Sequence, residues 1–121
     1  PVPGRLFQKR RTSAGLSADT IARLQKAMAG VVQEPGGTAR RLSALPFTSG
    51  GKTGTAQVVG YASGLSGARY RDHAWYVAFA PVKEPEIAIG VVVEHGGHGS
   101  SAAAPIAGGV MERFMELRTE N

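Results

Sequence analysis

The stretch SGGKTGTAQVV, residues 49–59, sets one cation, Lys52, among the hydroxyls of Ser49, Thr53 and Thr55. Gly51, Lys52 and Thr53 spell the end of a phosphate-binding P-loop, whereas Lys52, Thr53 and Gly54 spell the substrate-binding strand of a serine acyltransferase. The flanks decide between these chemistries. A P-loop needs G-x-x-x-x-G-K-[ST], because its first glycine opens the turn that wraps backbone N–H groups around phosphates. Position 46 is Pro46, which has no N–H and a fixed φ. A P-loop also runs into a helix, while Thr53 to Val59 is rich in β-formers and closes at Gly60. Ser49 and Lys52 form an S-x-x-K, the spacing of a nucleophilic serine and its partner lysine. That serine belongs at the start of a helix, and here two glycines lead into a strand, so Ser49 is not assigned as a nucleophile.

The elements that must position these residues follow from periodicity and breakers. Residues 1–16, with Pro1, Pro3, Gly4 and Gly15, read as an irregular connector. Ser17 is a candidate N-cap with Asp19 in the first turn, and Ile21, Leu24, Met28 and Val31 or Val32 recur at helical spacing to Gln33. Glu34, Pro35, Gly36 and Gly37 stop that helix. Residues 38–51 cross back as a loop, and a strand runs from Lys52 to about Val59. Residues 60–73 form an exposed connection. AWYVAFA, Ala74 to Ala80, is a second strand, PVKEP a turn, and Glu86 to Glu94 a third strand whose near-continuous apolar run predicts burial on both faces and an interior place. HGGHGSS leads into a last helix, about Ala102 to Leu117. Ile106, Val110, Phe114 and Leu117 line one face, with Ala103 and Ala107 beside them where a backbone can approach closely. The order α, β, β, β, α predicts an α+β fold, an antiparallel sheet with packed helices, because the 81–85 connection is too short for a parallel crossover.

At 121 residues and 42% hydrophobic content the chain has the size of one small domain, with no apolar run of membrane-spanning length and no apolar stretch of signal-peptide type at its start. The absence of cysteine excludes disulfides and thiolate metal sites. Residues 1–52 carry nine Lys/Arg against Asp19 and Glu34, net +7, and residues 53–121 carry five against seven, net −2. Lys9, Arg10 and Arg11 lack interleaved aromatics and any nucleic-acid-binding signature, so they read as a solvated run and no nucleic-acid partner is expected. Trp75, Tyr76 and Phe79 read as core or sheet surface rather than a ligand groove. Glu94, His95 and His98 invite a metal, yet flanking glycines leave them poorly preorganised and no third ligand set is evident. A structural or rim loop is the better reading, and no metal or cofactor is expected. Arg40 and Arg41 stay open between the site and solvent.

GGKTGTAQVVG, HAWYVAFAP and EIAIGVVVEHGGHGSSAAAPIA, with GTARR at 37–41 ahead of them, together resemble the C-terminal end of the transpeptidase domain of class B penicillin-binding proteins. The EHGGHG loop favours the elongation-type group, penicillin-binding protein 2. The superfamily's motif set is S-x-x-K, S-x-N or S-D-N, then K-T-G. Only the third is present, since no serine has an asparagine two places later and the sole asparagine is Asn121. The resemblance therefore implies residues 17–121 as the C-terminal portion of a partial penicillin-binding protein/serine β-lactamase-like fold, with the nucleophile ahead of residue 1 and no acylation by these residues alone. It implies Lys52 as a positive charge beside the reaction centre, and Thr53, Gly54 and Thr55 as substrate-binding, with the Thr55 backbone N–H as one oxyanion-hole donor. The implied partners are the upstream half of the domain, peptidoglycan stem peptides ending in D-alanyl-D-alanine, β-lactam antibiotics, and elongation-machinery proteins reached through an N-terminal region. The implied location is the outer face of the cytoplasmic membrane. The alternative is a noncatalytic basic module that binds a polyanion or a partner protein.

Overall fold

Ser17 starts the first helix for a local reason. Its hydroxyl accepts a hydrogen bond from the Thr20 amide at 3.1 Å, satisfying one donor that a helix N-terminus leaves free. Helix α1 runs Ala18–Gln33, with Asp19 facing the positive end of its dipole. The computed structural model describes residues 13–60 and 64–120, so most of the expected connector and its Lys9-Arg10-Arg11 tract lie outside the described residues. The stop at Glu34 to Gly37 falls where expected. Arg40 Nη1 donates to the Gln33 carbonyl at 2.7 Å, so this cation serves the C-terminal end of α1, while Arg41 is exposed.

Strands β1 (Gly50–Ala56), β2 (His73–Ala80) and β3 (Ile87–Val93) form an antiparallel sheet in the order β1-β2-β3. β1 begins two residues earlier and ends three residues earlier than its apolar pattern predicted. A Cβ on Gly51 would lie 2.2 Å from the Tyr76 hydroxyl and one on Gly50 2.7 Å from the Phe79 ring, so both glycines let the strand lie against the aromatics of β2. Past Ala56 the chain leaves the ladder, and the Val58 amide turns to the Asp72 carboxylate at 3.2 Å.

Among the described residues the interior strand is β2 and β3 is an edge, which corrects the sequence expectation. Ile87, Ile89, Val91 and Val93 are half-buried, whereas Ala88, Gly90 and Val92 are exposed. The period of two was hidden because the exposed positions are themselves apolar.

Helix α2 (Ala104–Thr119) follows a wide turn over Gly99–Ala103 and packs on β2 and β3. Its small residues, together with Met111, face the sheet, and Ala103 and Ala107 are buried as a close backbone approach requires. Ala104, Ala107, Gly108 and Met111 are buried, while Ile106, Val110 and Leu117 are 44–50% exposed. The reason lies across the interface, where β2 offers Ala74, Ala78 and Ala80 around a fully buried Tyr76. Small residues on both sides let helix and sheet approach closely, and Val32 and Leu42 complete that core.

Apolar surface is therefore left open on two sides. Trp75, Val77 and Val92 stand 44–47% exposed on the sheet face away from α2, and Ile106, Val110 and Leu117 on the outer face of α2. Patches of this kind drive association. Purified alone, the chain is expected to sediment as a species larger than the 12.6 kDa monomer. A compact, stable monomer in a sedimentation-velocity run would contradict this.

Candidate active-site strand

All four sequence-predicted site residues lie on β1. Lys52 stands opposite Val77, Thr53 opposite Tyr76, Gly54 opposite Trp75 and Thr55 opposite Ala74. Directly paired residues share a face, so Lys52 and Gly54 lie on the outer face with Trp75 and Val77, and Thr53 and Thr55 on the face of α2. On an interior strand this alternation would separate the ammonium from the hydroxyls by the thickness of the sheet. β1 has a free long edge among the described residues, and Lys52 Nζ donates to the backbone carbonyl of Thr53. A strand edge of this kind presents unpaired backbone groups to which an extended chain can add.

The neighbours hold this edge in place. The Thr53 hydroxyl is hydrogen-bonded to that of Thr38 at 2.9 Å. Sequence reasoning assigned no role to Thr38, because a contact across fifteen residues leaves no local signal. Gly99 lies against the β1–β2 ladder, where a Cβ would come within 2.2 Å of the Trp75 carbonyl oxygen and 2.7 Å of that of Gly54. A Cβ on Gly54 would lie 3.2 Å from that of Trp75, a few tenths of an ångström tighter than ordinary contact.

The other candidates fall elsewhere. Ser49 is fully buried, ahead of a strand rather than at a helix start. His95 ties the end of β3 to the start of β2: its amide donates to His73 Nδ1 at 2.9 Å, and its ring packs on His73 with centroids 4.8 Å apart. His98 is exposed and opens the wide turn before α2. Among the described residues no three His, Cys, Asp or Glu side chains converge as metal ligands. Tyr76 belongs to the core, Trp75 to the open outer face, and Phe79 is half-buried beside Gly50.

Burial pushes the Tyr76 phenol from 10.0 up to about 12, because desolvation disfavours the phenolate. The folded pKa is the higher one, so the contribution is complete below pH 10 and is lost as pH rises from 10 to about 12. At roughly 1.4 kcal/mol per unit it amounts to about 3 kcal/mol. The Tyr76→Phe variant should lack this alkaline step, which urea-unfolding midpoints from pH 8 to 12 measure. Equal slopes for parent and variant would remove Tyr76 as its source.

The sequence profile of the penicillin binding protein transpeptidase domain matches residues 8–112. The chain belongs to that family. Among its relatives, peptidoglycan D,D-transpeptidase MrdA of Acinetobacter baumannii is 39% identical over 105 residues, 82% of this chain and 15% of the relative. MrdA of Salmonella typhimurium is 33% identical over 104 residues, covering 80% and 17%. The crystal structure of Pseudomonas aeruginosa PBP2 superposes with a TM-score of 0.65 at 42% identity, over 76% of this chain and 18% of that one. PBP2 from Helicobacter pylori, in its complex with MreC, superposes with a TM-score of 0.74 at 28% identity, over 96% and 21%. The chain thus spans less than a fifth of the length of the MrdA relatives. Helices packed on a three-stranded antiparallel sheet are the α+β arrangement expected of a penicillin-binding transpeptidase fold.

Proposed function

We propose that this chain, over residues 17–121, is the C-terminal portion of a penicillin-binding D,D-transpeptidase of the elongation type. It supplies the K-T-G strand and one oxyanion-hole donor for serine acyl transfer in peptidoglycan cross-linking. The observation that carries this reading is β1, a strand whose edge is free among the described residues and that bears Lys52, Thr53, Gly54 and Thr55 in a chain of this family. A stem peptide ending in D-alanyl-D-alanine lies along that edge as an added strand. Its terminal carboxylate is held by the Lys52 charge and the hydroxyls of Thr53 and Thr55, and the Thr55 N–H receives the developing oxyanion. β-Lactams occupy the same place.

The nucleophilic serine, its lysine and the S-x-N motif come from an upstream half of the domain, which also covers the outer sheet face. Exposed Trp75, Val77 and Val92 beside Lys52 support that placement, as an apolar floor next to the site. The protein acts on the outer face of the cytoplasmic membrane and meets elongation-machinery partners through its N-terminal region. Labelling with a fluorescent penicillin tests the reading. These residues alone should remain unlabelled, and the domain restored by joining the upstream half should become covalently labelled. A folded restored domain that takes no label would overturn the assignment.

A further inference from the structure

We propose that Thr38 is a positioning residue for the Thr53 hydroxyl, directing its proton toward the carboxylate of the bound ligand; this rests on the transpeptidase reading above. The two hydroxyl oxygens are 2.9 Å apart. A threonine hydroxyl has one proton to give, so Thr53 can donate to a ligand only if it accepts from Thr38. A carboxylate at the β1 edge demands a donor, and the pair then aligns as Thr38 to Thr53 to carboxylate, a chain in which each hydrogen bond polarises the next.

Thr38 is held for this task from both sides. Before it, the Gly37 amide donates to the Glu34 carbonyl at 2.9 Å, and a Cβ on Gly37 would come 2.2 Å from the Val31 carbonyl oxygen. After it, the Ala39 amide donates to that same Val31 carbonyl at 3.0 Å, and the Ala39 side chain is buried. Arg40 adds its bond to Gln33. The C-terminal end of α1 therefore sets where the Thr38 hydroxyl stands, although the residue itself is exposed and fills no core space.

The test uses the restored domain and two ligands, benzylpenicillin with its free carboxylate and the methyl ester of the same penicillin. Thr38→Val keeps the branched shape and removes the hydroxyl; Thr38→Ser keeps the hydroxyl. Losing one such hydrogen bond should slow acylation by benzylpenicillin about three- to tenfold. Thr38→Ser should acylate at the parent rate, and the methyl ester should not distinguish Thr38→Val from the parent. Melting temperatures of all variants should coincide. Parent-rate acylation of Thr38→Val by benzylpenicillin, or an equal loss with the ester, would overturn the inference. Thr53→Val separates the two levels of argument. If Thr53→Val is slow and Thr38→Val is not, Thr38 alone is misassigned; if Thr53→Val keeps the parent rate, the role of Thr53 falls and that of Thr38 with it.

Discussion

Replacing Lys52 by Ala in the restored domain should slow acylation by a β-lactam by about a hundred- to a thousandfold, the effect of losing one electrostatic contribution of about 2.7 to 4 kcal/mol at a developing charge. The expectation follows from position. Lys52 is solvent-exposed on β1, opposite Val77, and its ammonium donates to the Thr53 carbonyl of the same strand. No ion pair holds it among the described residues, so its removal leaves no buried group unpaired and should hardly change stability. Thr53→Val should cost less, since it deletes one hydrogen bond and keeps the β-branched shape. Acylation rates for each variant, with thermal unfolding as control, decide the matter. A folded Lys52→Ala domain that acylates at the parent rate would make Lys52 a bystander and undo the assignment of residues 52–54.

Gly99→Ala should have the largest structural effect at the site. Its new methyl group would overlap the Trp75 carbonyl oxygen at 2.2 Å and the Gly54 backbone at 2.7 and 3.0 Å. These are ladder atoms of two paired strands and cannot rotate away as the tip of a side chain can. The cost should reach about 3 kcal/mol, the upper part of the usual range for overpacking. β1 would shift at the residue next to Thr55, so acylation should fall together with the urea midpoint. Gly109→Ala is the matching control, because nothing lies within 4 Å of its Cβ position on the exposed side of α2. That change should stabilise by about 0.5 to 1 kcal/mol, the usual difference between glycine and alanine in a helix interior. Equal stability of Gly99→Ala and parent would mean that the wide turn before α2 does not press on β1.

Much of this was legible in the sequence because it is local. The Ser17 cap, the Pro35-Gly36-Gly37 stop, the short 81–85 turn and the K-T-G run each depend on residues a few places apart, so the α, β, β, β, α order could be read directly and the four candidate site residues placed on one strand. What failed was of another kind. The apolar run of β3 predicted an interior strand, and the apolar stripe of α2 left open what lies against it. Both patterns record hydrophobicity without saying what packs against it. Strand order depends on pairing between distant segments, and the face of α2 depends on how closely Ala74, Ala78 and Ala80 let a helix approach. The same limit hid Thr38 and Gly99, whose partners Thr53 and Gly54 lie fifteen and forty-five positions away. By itself the sequence determined which residues carry charge, hydroxyl and a bare backbone on one strand. The tertiary structure alone decided that this strand is an edge among the described residues, that the turn after α1 supplies a hydroxyl to Thr53, and that a glycine turn bears on Gly54, because each depends on contacts that exist only once the chain has folded back on itself.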